Sequence, residues 1–148
     1  MMLKSRYIIL LCFPFLTFCT KDLNAPQTLN SFVQIRFRGG NVEELLKLTG
    51  GALKAELEEM TEEQREEFES FSGHEFKDLE IESKNCTDDK CFLTYTLSYY
   101  KGDEKDPEFL IRLKKIAEIS RKSEQSRWKI VDVNDVKSYY DAKKAIEP

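Results

Sequence analysis

Hydrophobic residues change their spacing along this chain, and each spacing predicts a different element. From Tyr7 to Phe18 the run is continuous and uncharged, entered by Lys4 and Arg6. From position 26 to 71 apolar residues recur every three or four places. Leu29, Phe32, Val33, Arg36 and Phe37 fall at i, i+3, i+4, i+7 and i+8, with Arg36 able to lay its stem along the apolar stripe. This predicts a helix with Pro26 in its first turn and Gly39-Gly40 as its stop. Asn41 can cap a second helix carrying Val42, Leu45, Leu46 and Thr49, which Gly50-Gly51 breaks. Ala52, Leu53, Leu57 and Met60 mark a third. Thr61 and Gln64 form a capping box for a fourth, with Phe68 and Phe71 on its apolar side and Gly73 at its end.

Past Gly73 the period drops to two. Leu79 and Ile81 alternate with Asp78, Glu80 and Glu82, and Leu93, Tyr95, Leu97 and Tyr99 alternate with Thr94, Thr96 and Ser98. A turn is expected over 101–107, then a long strand over 108–121 with Phe109, Ile111 and Leu113 on one face. The phase blurs near Ile116, where a bulge or bend is expected. A last strand runs from Trp128 to Val133, and Asn134 is placed to cap a terminal helical segment holding Val136, Tyr139 and Tyr140. Helices followed by an antiparallel meander make an α+β pattern.

The first run has the layout of a secretory signal, a basic entry followed by an apolar core. A helix of that length rises about 18 Å, against about 30 Å of hydrocarbon, so a permanent span is not expected. Pro14 and the lack of alternation argue against a core strand. Cys12 reads as apolar filler. Leu16-Thr17-Phe18-Cys19 resembles a bacterial lipobox, although Phe18 stands where that pattern has a small residue. The resemblance implies cleavage before Cys19 and acylation of its thiol. The expected division is a signal peptide over 1–18, a lipid-anchor tether over 19–25 and one domain over 26–148. Such a tether reaches roughly 20 Å. The expected location is extracytoplasmic, on the cell membrane or outer membrane.

Losing Lys4 and Arg6 with the leader leaves 21 basic and 27 acidic side chains, net −6. That balance argues against nucleic acid, which demands a basic footprint. The charge is also segregated. Residues 56–69 hold eight glutamates and one arginine, whereas 111–129 carry seven Lys or Arg and two acids. Two solvated faces of opposite sign account for this, and a docking surface for a charged partner would use it. Cys86 and Cys91 flank the polar stretch Thr87-Asp88-Asp89-Lys90. With His74 the only histidine and no third cysteine nearby, a metal site is not expected. Outside the cytoplasm the two thiols are expected to form a hairpin disulfide, contributing about 2 kcal/mol through chain entropy.

Four stretches, "NVEELLKLTGGALKAELEEM", "LTYTLSYY", "IRLKKIAEIS" and "RWKIVDVN", in an order of helices, long hairpins and a final W-K-I-V-D-V strand, resemble the NTF2-like superfamily over about residues 26–135. In particular they are similar to its small bacterial lipoproteins. The resemblance implies a strongly curved antiparallel sheet of four or more strands wrapped around N-terminal helices, a conical cavity, and frequent dimers through the sheet. Enzymes of that superfamily, ketosteroid isomerase and polyketide cyclases among them, place an acid or base with a donor inside the cone. The residues here that would line such a cavity are Tyr95, Tyr99 and Asp132, with His74 in the loop between the halves. Each also has a plainer role: core packing for the tyrosines, a strand-end carboxylate for Asp132, a solvated loop residue for His74. No Ser-His-Asp set, phosphate-cradling loop or metal cluster is visible, and no catalytic residue or cofactor is expected. The leading expectation is a membrane-anchored, non-enzymatic binding or assembly module with an envelope protein as partner. Its rival is a small-molecule or catalytic cone.

Intact-mass measurement of the membrane-extracted chain is expected to give a diacylated or triacylated species beginning at Cys19. It should be two hydrogens lighter than the dithiol form. A chain retaining residues 1–18, or four free thiols, would contradict this reading of the leader.

Overall fold

The structure, a computed structural model, describes residues 23–69, 73–101 and 110–140, with side chains through Val136 in the last stretch. The leader, Cys19, Phe71, Phe109 and most of the 101–107 turn lie outside them. Helix α1 spans Ala25–Phe37. Asn24 caps it: the Gln27 backbone donates to Asn24 Oδ1 at 2.9 Å, and the Asn24 backbone donates to Gln27 Oε1 at 3.0 Å. The start of α1 and its cap therefore lie inside the stretch read as tether. Short α2 covers Val42–Leu46, and Asn41 Oδ1 accepts from the Glu44 backbone at 3.0 Å, as its position predicts. Helices α3 (Gly51–Glu59) and α4 (Glu62–Glu69) follow. The expected capping box opens α4, with Thr61 N donating to Gln64 Oε1 at 2.8 Å.

Four strands complete the chain: β1 (Glu75–Cys86), β2 (Lys90–Tyr100), β3 (Leu110–Ser120) and β4 (Lys129–Tyr140). They form one antiparallel sheet in sequence order, curled but not closed. The inward row of β2 is Cys91, Leu93, Tyr95, Leu97 and Tyr99, all buried. Across the ladder Leu93 faces Ala117, Cys91 faces Ile119, and Ile130 on β4 completes the layer. Leu29, Phe32, Val33 and Phe37 of α1 pack into this face, with Leu45 and Leu57 from α2 and α3. At about 25 cal/mol per Å² of apolar surface, each such side chain contributes roughly 1.5–3 kcal/mol. Buried Thr28 returns its hydroxyl to the Asn24 carbonyl at 3.0 Å, so its burial leaves no orphaned donor.

The curl has a visible cause. The β2–β3 register is unbroken from Lys90↔Ser120 to Tyr100↔Leu110. All four shifts fall on the outer strands, where Lys77 and Glu82 are extra on β1, and Val131 and Val136 are extra on β4. Extra residues bend a strand and increase its twist, so the edges wrap while the centre stays regular. Glu82 is held in place across the outer face: Thr96 Oγ1 donates to its Oε1 at 2.5 Å, and Lys114 bonds its other oxygen. These bonds keep its carboxyl below the usual range.

Two expectations are corrected here. The β3–β4 ladder does shift on either side of Ile116, at Lys114/Lys115 and Glu118/Ile119, but the extra residues are on β4 and β3 itself alternates regularly against β2; Lys115 takes an inward place and makes an ion pair with Asp135, while Ile116 points outward beside Thr94. Asn134 does not cap a helix. The strand continues to Tyr140, paired along β3 as far as Ile111, and the Asn134 side chain instead donates to Asp132 Oδ2 at 2.6 Å. A local capping signal lost to a ladder already templated by β3.

At the β1–β2 turn, Cys86 and Cys91 are disulfide-bonded with Cα atoms 4.0 Å apart. Arg121 fastens this turn to the end of β3. Its backbone N–H reaches the Asp89 carbonyl at 2.8 Å and its Nε the Asp88 carbonyl at 2.6 Å, while its guanidinium covers the Trp128 ring at 4.7 Å. At the other edge, residues 48–50 add to β4: Ile130 N donates to the Leu48 carbonyl and Gly50 N to the Ile130 carbonyl, both at 2.9 Å. Gly51 turns into α3 at φ +53°, where a Cβ would lie 3.2 Å from Val131 Cβ. Gly51→Ala is expected to cost about 1–2 kcal/mol, from the left-handed backbone alone, with more if Val131 cannot yield. Chemical denaturation, comparing midpoint at constant slope, checks this.

Candidate functional site

The concave face receives only some of the residues proposed to line a cavity. Tyr95 is 2 % exposed and Tyr99 6 %. Tyr99 packs between Phe37, at 5.5 Å between ring centroids, and His74, whose ring stacks on it at 5.3 Å. His74 is therefore a half-buried neighbour of the tyrosine rather than a solvated loop residue. Asp132 goes the other way. Parity with Trp128 and Ile130 points it inward, but the extra Val131 shifts the phase, and Asp132 pairs with outward Glu118 and is exposed. The structure places both tyrosines on the concave face and leaves Asp132 on the outer face.

Helix α1 packs against the concave face. The cavity bounded by Phe32, Val33, Arg36, Phe37, Tyr95, Leu97, Lys115 and Val133 measures about 30 Å³. That holds roughly one water, far below the 300–1,000 Å³ of ordinary ligand pockets. Burial pushes the Tyr95 phenol above its ordinary range, an effect opposed by the positive Arg36 and helped by Asp135. Burial likewise draws the Arg36 guanidinium below its ordinary value, opposed by Tyr95 and Tyr99.

Larger recesses lie outside. One, of about 610 Å³, runs between α3 and α4 over the flank of α1, lined by Arg36, Glu56, Glu59, Met60, Gln64, Glu67 and Phe68. Its construction is regular. Glu56, Glu59 and Met60 stand at i, i+3 and i+4 on and just past α3, and Gln64, Glu67 and Phe68 repeat that spacing on α4. The α3 triplet brings an apolar residue with two carboxylates, and the α4 triplet one with a carboxylate and an amide. Arg36 lies over the Phe68 ring at 4.1 Å to its centroid, closing the floor with a cation–π contact. Three carboxylates against one guanidinium give the lining a formal charge of −2. A second recess, of about 460 Å³ between α1 and α2, contains an ion pair of its own, Arg38 with Glu44 at 2.9 Å.

No known family, curated protein or solved structure matches this chain. The site is therefore judged on its own chemistry. Among the described residues no group of three or more His, Cys, Asp and Glu side chains is placed to hold a metal ion, and no helix is long and apolar enough to cross a membrane. The acidic run at 56–69 was visible as charge; its folding into two facing walls was not, although the repeated spacing is present in the sequence.

Tyr95 gives a pH test of the interior. Its proton is held more tightly in the folded chain than in the unfolded one, where tyrosine ionises near pH 10. The stabilisation is complete below about pH 10 and falls as pH rises above it. Denaturation midpoints of the wild type should decline between about pH 10 and 11.5, and Tyr95→Phe should flatten that decline. An equal decline in the variant would show the phenol to be open to solvent.

Proposed function

We propose that the chain is a membrane-tethered extracytoplasmic lipoprotein, anchored through Cys19, whose NTF2-like domain is a non-enzymatic binding or assembly module. The observation that carries this reading is where the space lies. Among the described residues, the recess on the concave face, where a catalytic cone would take its substrate, measures about 30 Å³ against α1, and the roomier recess is formed by helices on the outside. The apolar leader followed by Cys19 supports export and anchoring, and a hairpin disulfide suits an oxidising compartment. Charge supports a protein partner over the membrane surface itself. Eight glutamates over 56–69 repel anionic headgroups and favour a contact directed away from the bilayer.

Fractionation of cells expressing the wild type and Cys19→Ser tests the anchor. The wild type should sediment with membranes and the variant should lose that association. Native mass spectrometry of the extracted wild type tests the module, with a complex containing a second envelope protein as the expected species. A soluble wild type, or a small organic molecule bound one to one, would overturn the reading.

A further inference from the structure

We infer that the groove between α3 and α4 docks a basic amphipathic helix of a partner protein. The inference rests on the binding-module reading and names the partner's chemistry. An apolar strip with charge on both sides is the complement of a helix whose apolar face is bordered by Lys and Arg. Met60 and Phe68 form the strip; Glu56 and Glu59 border it on α3, and Glu67 on α4. Met60 is half-buried and suits an adaptable contact, since an unbranched thioether repacks readily. Phe68 is also half-buried, packed against the core with Arg36 over its ring, and it lines the groove. Glu56, Glu59 and Glu67 are exposed, so cations can approach them without first desolvating a buried charge. An acidic or nucleic-acid partner would meet the net −2 of this lining and the surrounding glutamates as repulsion.

The test uses the detergent-extracted full chain and defined synthetic probes. The first probe is an eighteen-residue amphipathic peptide of lysine and leucine, the second its scramble of equal composition, and the third the glutamate–leucine analogue; empty micelles give the background. Fluorescence anisotropy should show the amphipathic lysine peptide binding at least about tenfold tighter than its scramble, with affinity falling steeply as salt rises. The glutamate peptide should not bind. Neutralising the rim with E56Q and E59Q together should weaken binding about tenfold, as expected for two contacts near 1 kcal/mol each or slightly less. E62Q with E63Q removes equal charge from the first turn of α4, outside the groove lining, and should change affinity less than about threefold. Carbodiimide coupling should join peptide lysines mainly to Glu56, Glu59 and Glu67. Equal binding of the scramble, equal loss in the two double variants, or coupling spread evenly over the acidic residues would each overturn the groove. A chain that stays membrane-bound and complexed while failing these tests would refute this docking site alone. A chain that is soluble in the cell would refute the wider reading whatever the peptides do.

Discussion

The packing of the α1 stripe against the inward row of β2 is the constraint on which the molecule depends. Leu29, Phe32, Val33 and Phe37 join Leu93, Tyr95, Leu97 and Tyr99 in one cluster, which takes in every buried hydrophobic side chain among the described residues except Leu110. A flat sheet could not enclose a helix, so the sheet must curl, and the curl comes from extra residues on the outer strands only. An unbroken centre with bulged edges gives both a firm floor and a wrapped wall. Bulges also make the outer strands poor templates for another chain, as do Lys77, Glu80 and Glu82 along β1. One device therefore shapes the core and protects the edges.

The two ends of the sheet are closed differently. At the hairpin end, the disulfide joins β1 to β2 and Arg121 ties their turn to β3, so three strands are fixed by covalent and charge-assisted bonds. At the β4 edge, backbone bonds from residues 48–50 do the same work, and the glycines there let two main chains approach closely. Fixing α3 to β4 sets the position of one wall of the groove. The chain of cause runs from Gly51, through the β4 contact, to Glu56, Glu59 and Met60 at the surface.

Local signals were legible where one segment decides its own structure. The α1 stripe, the Asn41 cap, the Thr61–Gln64 box and the β2 alternation all follow from spacing within a single element. Register is a property of two strands, and it was not legible. Nothing near Val131 or Val136 marks either as extra, yet Val131 alone decides that Asp132 faces outward. The same limit explains Lys115, whose inward place is tolerable only because Asp135 lies opposite on another strand. Asn134 shows the converse: its capping signal is real, but a strand paired over its whole length outweighs it. The candidate groove was half legible, as acidic charge and as a repeated i, i+3, i+4 triplet, since facing of the two helices depends on their packing over α1.

The walls of that groove are not equally held. Helix α3 buries Leu57 completely and is positioned by β4, whereas α4 buries no residue fully. At eight residues α4 would be marginal on its own, because helix nucleation is costly and few bonds offset it. Its anchors include Phe68, packed against the core with Arg36 over its ring, its capping box, and Glu69, whose Oε1 accepts from the Val42 backbone at 3.1 Å at the start of α2. That last bond places a carboxylate at a helix N-terminus, where both the free N–H and the helix dipole favour it. Elements with few buried contacts open at the lowest free energy. The groove has one wall set by the sheet and one that meets the core through half-buried Phe68 and is otherwise held by polar bonds, so moving α4 disturbs less core packing than moving α3. Adjustment at α4 is thereby largely separated from the stability of the sheet, which is what docking in the proposed groove would require.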